Sequence, residues 1–233
     1  METERLREIP IVSLKRQVYD ELKRKILACE YSPGTMLTEE GICETLQASR
    51  TPVRDALGRL EQEQLVSILP KKGVKVNQVS LSNVNELFEV RLLMEPYAVL
   101  RYGNRIADSV YAEYVQAFRN PLKDKITLYQ KDDEFHKMFI EATGNQYLKV
   151  FYNMVEDQVM RYRVLSDIAN RTTESITEHL DIAMNCLRGD WERASGAMRA
   201  HIENAKISMI DFAVQENLDS QNIFSFKFKP TSF

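Results

Sequence analysis

Cysteine and long apolar runs are scarce in this chain of 233 residues, and each scarcity excludes a class of protein. The cysteines are Cys29, Cys43 and Cys186, an odd number at wide spacing, which excludes a disulfide scaffold and predicts reduced, mostly structural thiols. No apolar run approaches the length of a bilayer span, and the N-terminus lacks the apolar stretch of a secretory signal. We therefore expect a cytoplasmic protein with no membrane partner.

The charge balance excludes a protein that coats nucleic acid indiscriminately, because the formal net charge is −3. Positive charge is nevertheless concentrated in the segment 50–75, which holds six basic residues and three acidic ones. Apolar residues make up 44% of the chain, enough for a real core. A local contact with nucleic acid is therefore compatible with the composition.

Two short helices are predicted at the start of the chain. Apolar residues at helical spacing define the first, which ends before Pro33-Gly34: Val18, Leu22, Ile26 and Leu27. Thr38 offers an N-cap for the second, which begins with acidic residues and turns Ile42 and Leu46 inward.

A third helix and a hairpin follow. Ser49 is predicted to cap this helix, and Pro52 lies early in it, where a missing N–H costs little. Its buried face is formed by Val53, Ala56, Leu57 and Leu60. The segments 65–69 and 74–76 predict two short strands around the basic turn Pro70-Lys-Lys-Gly73. Three helices followed by a hairpin make a winged helix-turn-helix.

The winged helix predicts an interface with double-stranded DNA. A helix fits the major groove, where the early arginines Arg50 and Arg54, four residues apart, can reach guanine edges or phosphates. A basic wing tip with a glycine can approach the backbone or the minor groove without a side-chain clash. The predicted contacts are Ser49, Arg50, Thr51, Arg54, Lys71, Lys72 and Gly73. Taken singly, these residues also fit a solvated helix and an ordinary hairpin.

Beyond Ser82 the pattern is almost wholly helical, so the expected fold class is mainly α, with an all-α bundle after the winged helix. Helices are expected near 82–103, 108–119, 122–143, 145–168, 172–188 and 190–216. The predicted domains are 1–79, 80–217 and a tail, 218–233. Four phenylalanines alternate with polar residues in the tail: Phe224, Phe226, Phe228 and Phe233. This pattern fits a strand or an extended arm that docks on a neighbour, and equally a partly frayed end.

The histidines of the helical segment suggest a metal site. Asp132 and His136, four residues apart, lie along or beside an inward stripe formed by Leu128, Phe135 and Phe139. A carboxylate facing a core needs a proton, a cation or a metal. His179 and His201 also follow apolar stripes and can point inward. One aspartate with three neutral imidazoles suits a divalent ion, although spacing alone does not show convergence and each histidine could be a satisfied core residue.

Three ordered motifs lie between residues 31 and 76: YSPGTML (31–37), SRTPVRDALGRLEQ (49–62) and KKGVKV (71–76). Together they resemble the GntR family of bacterial transcription regulators, which implies a homodimer that binds a pseudo-palindromic DNA operator. The sequence departs from the family at several positions.

The departures concern turn geometry and one contact. Gln47 and Ala48 replace the usual Gly-Val of the helix-turn-helix turn, Gln64 replaces a common glycine, and Gly41 falls inside the second helix. Glu40 stands where some members carry a DNA-contacting arginine, so this contact is not transferred.

Three later runs are DDEFHKMFIEATGN (132–145), EHLDIAMNCLRGD (178–190) and AMRAHIENA (197–205). They resemble the FCD effector domain of the FadR subfamily of GntR proteins over about 83–216. This resemblance implies an effector-binding and dimerisation domain with a divalent metal, zinc or alternatively nickel or manganese. The implied metal ligands are Asp132, His136, His179 and His201.

Arg91 occupies the position at which the resembling family holds a small carboxylate that also completes the metal coordination. Pairing with Glu95 or Glu134 would explain the same arginine structurally. The resulting expectation is a metabolite-responsive regulator, usually a repressor, and not an enzyme. The alternatives are a purely structural metal with a different effector or none, and a hydrolase in which Glu134 serves as base to metal-bound water.

Overall fold

The structure, a computed structural model, describes residues 14–78, 80–120, 125–166 and 172–215. These ranges form two compact units, and the division falls between Asn77 and Gln78. Within them no helix combines the length and the apolar character needed to cross a bilayer. The architecture of α-helices with one small sheet confirms the predicted fold class. The predicted tail and the side chain of Leu128 lie outside the described residues.

The first unit is a winged helix. Its elements are α1 (Leu14–Leu27), β1 (Met36–Leu37), α2 (Glu39–Leu46), α3 (Arg50–Gln62), β2 (Val66–Leu69) and β3 (Gly73–Val76). The sheet is antiparallel in the order β1-β3-β2, and Met36 pairs with Lys75. The strand β1 was not predicted, because two residues are too few to show an alternation of apolar and polar side chains. The predicted stripes of all three helices meet in one core with Val74 and Val76.

Two of the departures from the family occupy left-handed backbone. Gln47 has φ 48° and Gln64 has φ 59°, a region that favours glycine because it has no Cβ. Gln47 is the C-cap of α2, and its N–H donates to the carbonyls of Cys43 and Glu44. The helix-turn-helix turn therefore keeps its geometry with a strained residue in place of glycine.

We expect Gln47→Gly to raise the free energy of unfolding of the first unit by roughly 0.5–1 kcal/mol, because glycine adopts this conformation without steric cost. Urea titration followed by circular dichroism measures the change. Gln62→Gly, at an exposed site in the last turn of α3, is the control and should destabilise by a similar amount. Equal losses in both variants would contradict the prediction.

The second unit is all-helical. Its elements are α4 (Leu81–Tyr102), a 3₁₀ turn (Gly103–Arg105), α5 (Asp108–Arg119), α6 (Lys125–Ala142), α7 (Gln146–Ser166), α8 (Thr172–Leu187) and α9 (Trp191–Gln215). Ser80 and Asn83 form a capping box that starts α4, and Gly144 and Gly189 adopt positive φ where helices end. Helix α4 packs along α9, and α8 packs on both α9 and α5. This arrangement surrounds the polar side chains of α6, α8 and α9 with an aromatic and aliphatic core.

Candidate nucleic-acid interface and metal centre

The exposed face of α3 carries the predicted DNA contacts of the first unit. Ser49, Arg50, Thr51 and Arg54 are all exposed, whereas Pro52 and Val53 point into the core. Ser49 is the N-cap residue of α3, as predicted, although its side chain makes no capping hydrogen bond. Carboxylates from α2 hold both arginines: Arg50 contacts Glu40 at 3.1 Å and Arg54 contacts Glu39 at 2.8 Å.

The hairpin between β2 and β3 forms the basic wing. Lys71 and Lys72 are exposed at its tip, and Lys71 has φ 62°. Gly73 has φ 106°, and a Cβ atom there would lie 2.5 Å from the carbonyl oxygen of Leu37. Packing against β1 therefore requires this glycine, independently of any approach to DNA. The contacts of these residues with DNA stay predictions.

Asp132, His136, His179 and His201, the tetrad, converge in the second unit. One potential ligand atom from each lies within 4.8 Å of those of the others. Nε2 of His179 is 3.0 Å from Nε2 of His136, 3.2 Å from Nε2 of His201 and 3.2 Å from Oδ1 of Asp132. Helix α6 supplies the first two residues, α8 the third and α9 the fourth. Convergence, which spacing alone could not show, is thus present.

Hydrogen bonds on the far side of two imidazoles fix their tautomers. Nδ1 of His136 lies 2.6 Å from Oε2 of Glu95, and Nδ1 of His201 lies 2.7 Å from Oε2 of Glu178. Because a carboxylate accepts, each Nδ1 carries the proton and each Nε2 presents a lone pair to the centre. Carboxylate–histidine contacts of this kind orient metal-ligating imidazoles.

The atoms of the tetrad suit a cation. In the neutral imidazoles, Nε2 of His136 and Nε2 of His201 are acceptors, and together with Oδ1 of Asp132 they face Nε2 of His179. Two ligands bound to one ion at about 2.0–2.1 Å lie roughly 3 Å apart, which matches the separations observed here. The donor set, three nitrogens and one oxygen, suits a borderline divalent metal.

Burial keeps the imidazoles of His179 and His201 available as neutral ligands. It lowers the pKa of His179 well below its usual range, with the charge of His201 acting in the same direction. It also lowers the pKa of His201 to about 4, although the hydrogen bond to Glu178 opposes the shift. Burial alone would raise the pKa of Asp132, but the charge of Arg163 outweighs it and holds this pKa well below its usual range. His179 and His201 are therefore neutral near neutral pH, and Asp132 is ionised.

Arg163 on α7 supports the tetrad from outside. Its Nη2 lies 2.7 Å from Oδ2 of Asp132, and its Nη1 donates to Oδ1 of Asp133 at 2.5 Å. Burial, followed by the charges of Glu156 and Asp132, raises the pKa of Asp133 to about 7 against the opposing effect of Arg163. The guanidinium thus leaves Oδ1 of Asp132 facing the imidazoles.

Arg91 lies on α4, and its fully buried side chain reaches towards α7. Its Nε lies 2.5 Å from Oε1 of Glu95 and 3.5 Å from Oε1 of Glu156. Of the two partners that sequence analysis weighed, Glu95 is the one observed, whereas Glu134 is exposed and pairs with Lys131. Among the described residues, Nη1 of Arg91 and the buried hydroxyl of Tyr152 make no hydrogen bond. Both groups lie near the site and have hydrogen-bonding capacity for a ligand.

Sequence analysis missed the residues that orient the tetrad. Glu178 directly precedes His179 yet serves His201, and Glu95 serves His136 from a helix 41 residues earlier. No sequence pattern indicated a role for Arg163 or Asp133 beside the tetrad, because charged residues on long helices are usually solvated. The spacing of Arg91 and Glu95, four residues on one helix, was the single available indication.

Family models match both units. The model described as bacterial regulatory proteins of the gntR family matches residues 14–76, and the FCD domain model matches residues 86–204. The chain is 26% identical over 219 residues to the HTH-type transcriptional repressor RspR of Escherichia coli K12, covering 90% of this chain and 94% of that protein.

Solved structures share the fold. A GntR transcriptional regulator from Rhodococcus sp. RHA1 superposes with a TM-score of 0.71 at 21% identity, covering 86% of this chain and 99% of that one. The Zn2+-bound FCD domain of the regulator TM0439 matches with a TM-score of 0.50 at 20% identity, covering 58% of this chain and 96% of that domain. At these identities the likenesses show the fold alone.

Proposed function

Because the chain belongs to the GntR family of bacterial regulatory proteins and carries an FCD domain, we propose that this DNA-binding transcription regulator is a repressor whose helical domain binds a divalent metal and a small carboxylate effector. The observation that carries the proposal is the convergence of three potential ligand atoms, from Asp132, His136 and His201, on Nε2 of His179. Such a centre is stabilised by a bound cation, because three imidazole nitrogens and a carboxylate oxygen can all donate lone pairs to it.

The ion we propose is zinc, with nickel or manganese as alternatives. Three imidazoles and one carboxylate suit all three metals, and the FCD domain of TM0439 has been solved with Zn2+ bound. The residues of the tetrad would hold the ion, while Glu95 and Glu178 keep two imidazoles in the ligating tautomer. When bound, the metal supplies a Lewis acid for a carboxylate oxygen.

The effector is proposed to bind beside the metal, against Arg91. A carboxylate can accept hydrogen bonds there from Nη1 of the planar guanidinium and from the hydroxyl of Tyr152, neither of which has another partner among the described residues. A buried donor without a partner costs free energy, and a ligand that satisfies it gains in affinity. Metal and arginine together would therefore select a small organic acid.

The regulatory output is proposed to be release from DNA. RspR, a relative of similar length, is a repressor, and a homodimer would present two copies of α3 to a pseudo-palindromic operator. The acid must bind the released form more tightly than the DNA-competent form, since an effector with equal affinity for both shifts nothing. The alternative is a metal that only stabilises the bundle.

A screen of small organic acids tests the effector proposal. An acid that binds should raise the melting temperature of the metal-loaded protein and release it from its own upstream DNA in a gel shift, and chelation should abolish both effects. Arg91→Lys keeps the positive charge but loses the bidentate hydrogen-bond donor. We therefore expect the acid to bind at least about tenfold more weakly. If no acid changes either measurement, the metal has only the structural role.

The α3 interface is tested by Arg54→Ala. We expect operator affinity to fall by roughly 1–3 kcal/mol, because an arginine at this position can reach a base edge or a phosphate. Fluorescence anisotropy with labelled operator measures the loss. Arg101→Ala removes an equivalent exposed charge from α4 and should leave the affinity unchanged. Equal affinities of wild type and Arg54→Ala would remove Arg54 from the interface.

A further inference from the structure

Glu40 forms an exposed ion pair with Arg50, at the start of α3. Oε1 of Glu40 lies 3.1 Å from Nη2 of Arg50, and the two side chains are 61% and 63% exposed. An ion pair this open contributes only about 0–1 kcal/mol to stability. Thr38 already caps α2, and Ile42 anchors it in the core. The ion pair and the place of Glu40 in the first turn of α2 are therefore each a small contribution to the fold.

Glu39, the preceding residue, has a different position. It is 27% exposed and accepts from Nε of Arg54 at 2.8 Å, so the guanidinium keeps two further amino groups for a DNA contact. Glu39 thus fixes the position of the Arg54 guanidinium and leaves its exposed side open. Glu40, by contrast, lies at the surface with the arginine it contacts.

A carboxylate at a DNA interface has few favourable contacts. Phosphates repel it, and guanine O6 and N7 and thymine O4 offer only acceptors in the major groove. Adenine presents its N6 donor next to the N7 acceptor. Cytosine N4 is the donor for which a carboxylate is suited, and the guanine paired with it offers acceptors to an arginine. An adjacent Glu and Arg therefore complement the two halves of a C·G pair.

We propose that Glu40 is a specificity-determining residue that accepts from the N4 amino group of a cytosine while Arg50 donates to guanine in the same or the adjoining base pair. The inference rests on the proposed function to the extent that the exposed face of α3 meets the major groove. Glu40 then excludes other bases at this position and discourages binding through phosphates alone.

Selection from a randomised duplex library tests the proposal. Wild type should select a cytosine at one position of each half-site, with a preference of roughly 5- to 150-fold over other bases. Glu40→Ala should lose this preference, and Glu40→Gln should shift it towards adenine, because an amide suits adenine N6 and N7. Glu44→Gln removes the same charge from another exposed position of α2 and should select the wild-type sequence.

Three outcomes overturn the proposal. If both Glu40 variants select the wild-type sequence, Glu40 reads no base, although α3 can still be the DNA interface. If they bind all sequences more tightly without a change of selected base, the carboxylate only repels phosphates. If wild type itself selects no sequence, both the inference and the proposed operator recognition fail.

Discussion

Replacing Glu95 with glutamine is expected to lower the free energy of unfolding of the metal-free protein by about 3–5 kcal/mol. The carboxylate of Glu95 lies between Arg91 and His136, at 2.5 Å and 2.6 Å, and all three side chains are fully buried. Arg91 and His136 hold the pKa of Glu95 at about 2 despite its burial. An amide leaves the guanidinium with Glu156 at 3.5 Å as its nearest anion.

Glu178→Gln is the matched control. Glu178 orients His201 as Glu95 orients His136, but it is part-buried and its other oxygen accepts from Asn204. Both substitutions should weaken metal binding by roughly 10- to 100-fold, because both disturb a carboxylate that orients a ligating imidazole. Urea unfolding with a chelator present should show the large loss in Glu95→Gln alone. Equal losses would mean that the buried arginine is not what Glu95 stabilises.

Removing the metal is expected to have the second large effect. An ion that binds only the folded state, supplied at about a thousandfold excess over Kd, stabilises by roughly 4 kcal/mol. A chelator should therefore lower the melting temperature of the second unit by about 10 °C. Differential scanning calorimetry with and without added zinc measures the difference.

His179→Ala should abolish the metal-dependent rise. Nε2 of His179 is the atom that the other three ligand atoms surround, so its loss removes the centre of the tetrad. The variant also creates a cavity beside Phe118 and Phe135, so its metal-free form is less stable too. The comparison is therefore between the zinc-dependent increments. A full increment in His179→Ala would place the metal elsewhere.

The helices could be predicted from the sequence because each has a long apolar stripe and a clear stop. The stripe of α3, from Val53 to Leu60, is buried as predicted, and Gly189 ends α8 as expected. The strand β1 escaped prediction because two residues have no period. Ser49 occupies the predicted N-cap position of α3, but the residue type does not determine whether the side chain makes the capping hydrogen bond, and here it makes none.

The candidate site was less accessible to prediction. The residues of the tetrad lie on three helices, and their assignment came from the resemblance, because periodicity reports which face is buried but not which faces meet. The contacts that Glu178 and Arg163 make with the tetrad depend on the packing of α7, α8 and α9 against one another. Long-range polar pairs of this kind have no local sequence signal.

The burial of the tetrad has a kinetic consequence. None of its members is more than 8% exposed, and its ligands come from positions as far apart as 132 and 201. An ion bound there would be enclosed by α6, α8 and α9, so we expect a chelator, and equally the proposed acid, to reach it only when these helices separate locally. The half-life of the loaded protein in excess chelator should then follow amide hydrogen exchange in these helices. On the proposed function, such a centre would keep its ion through a brief metal shortage, because release of the ion would be as slow as the opening of the bundle.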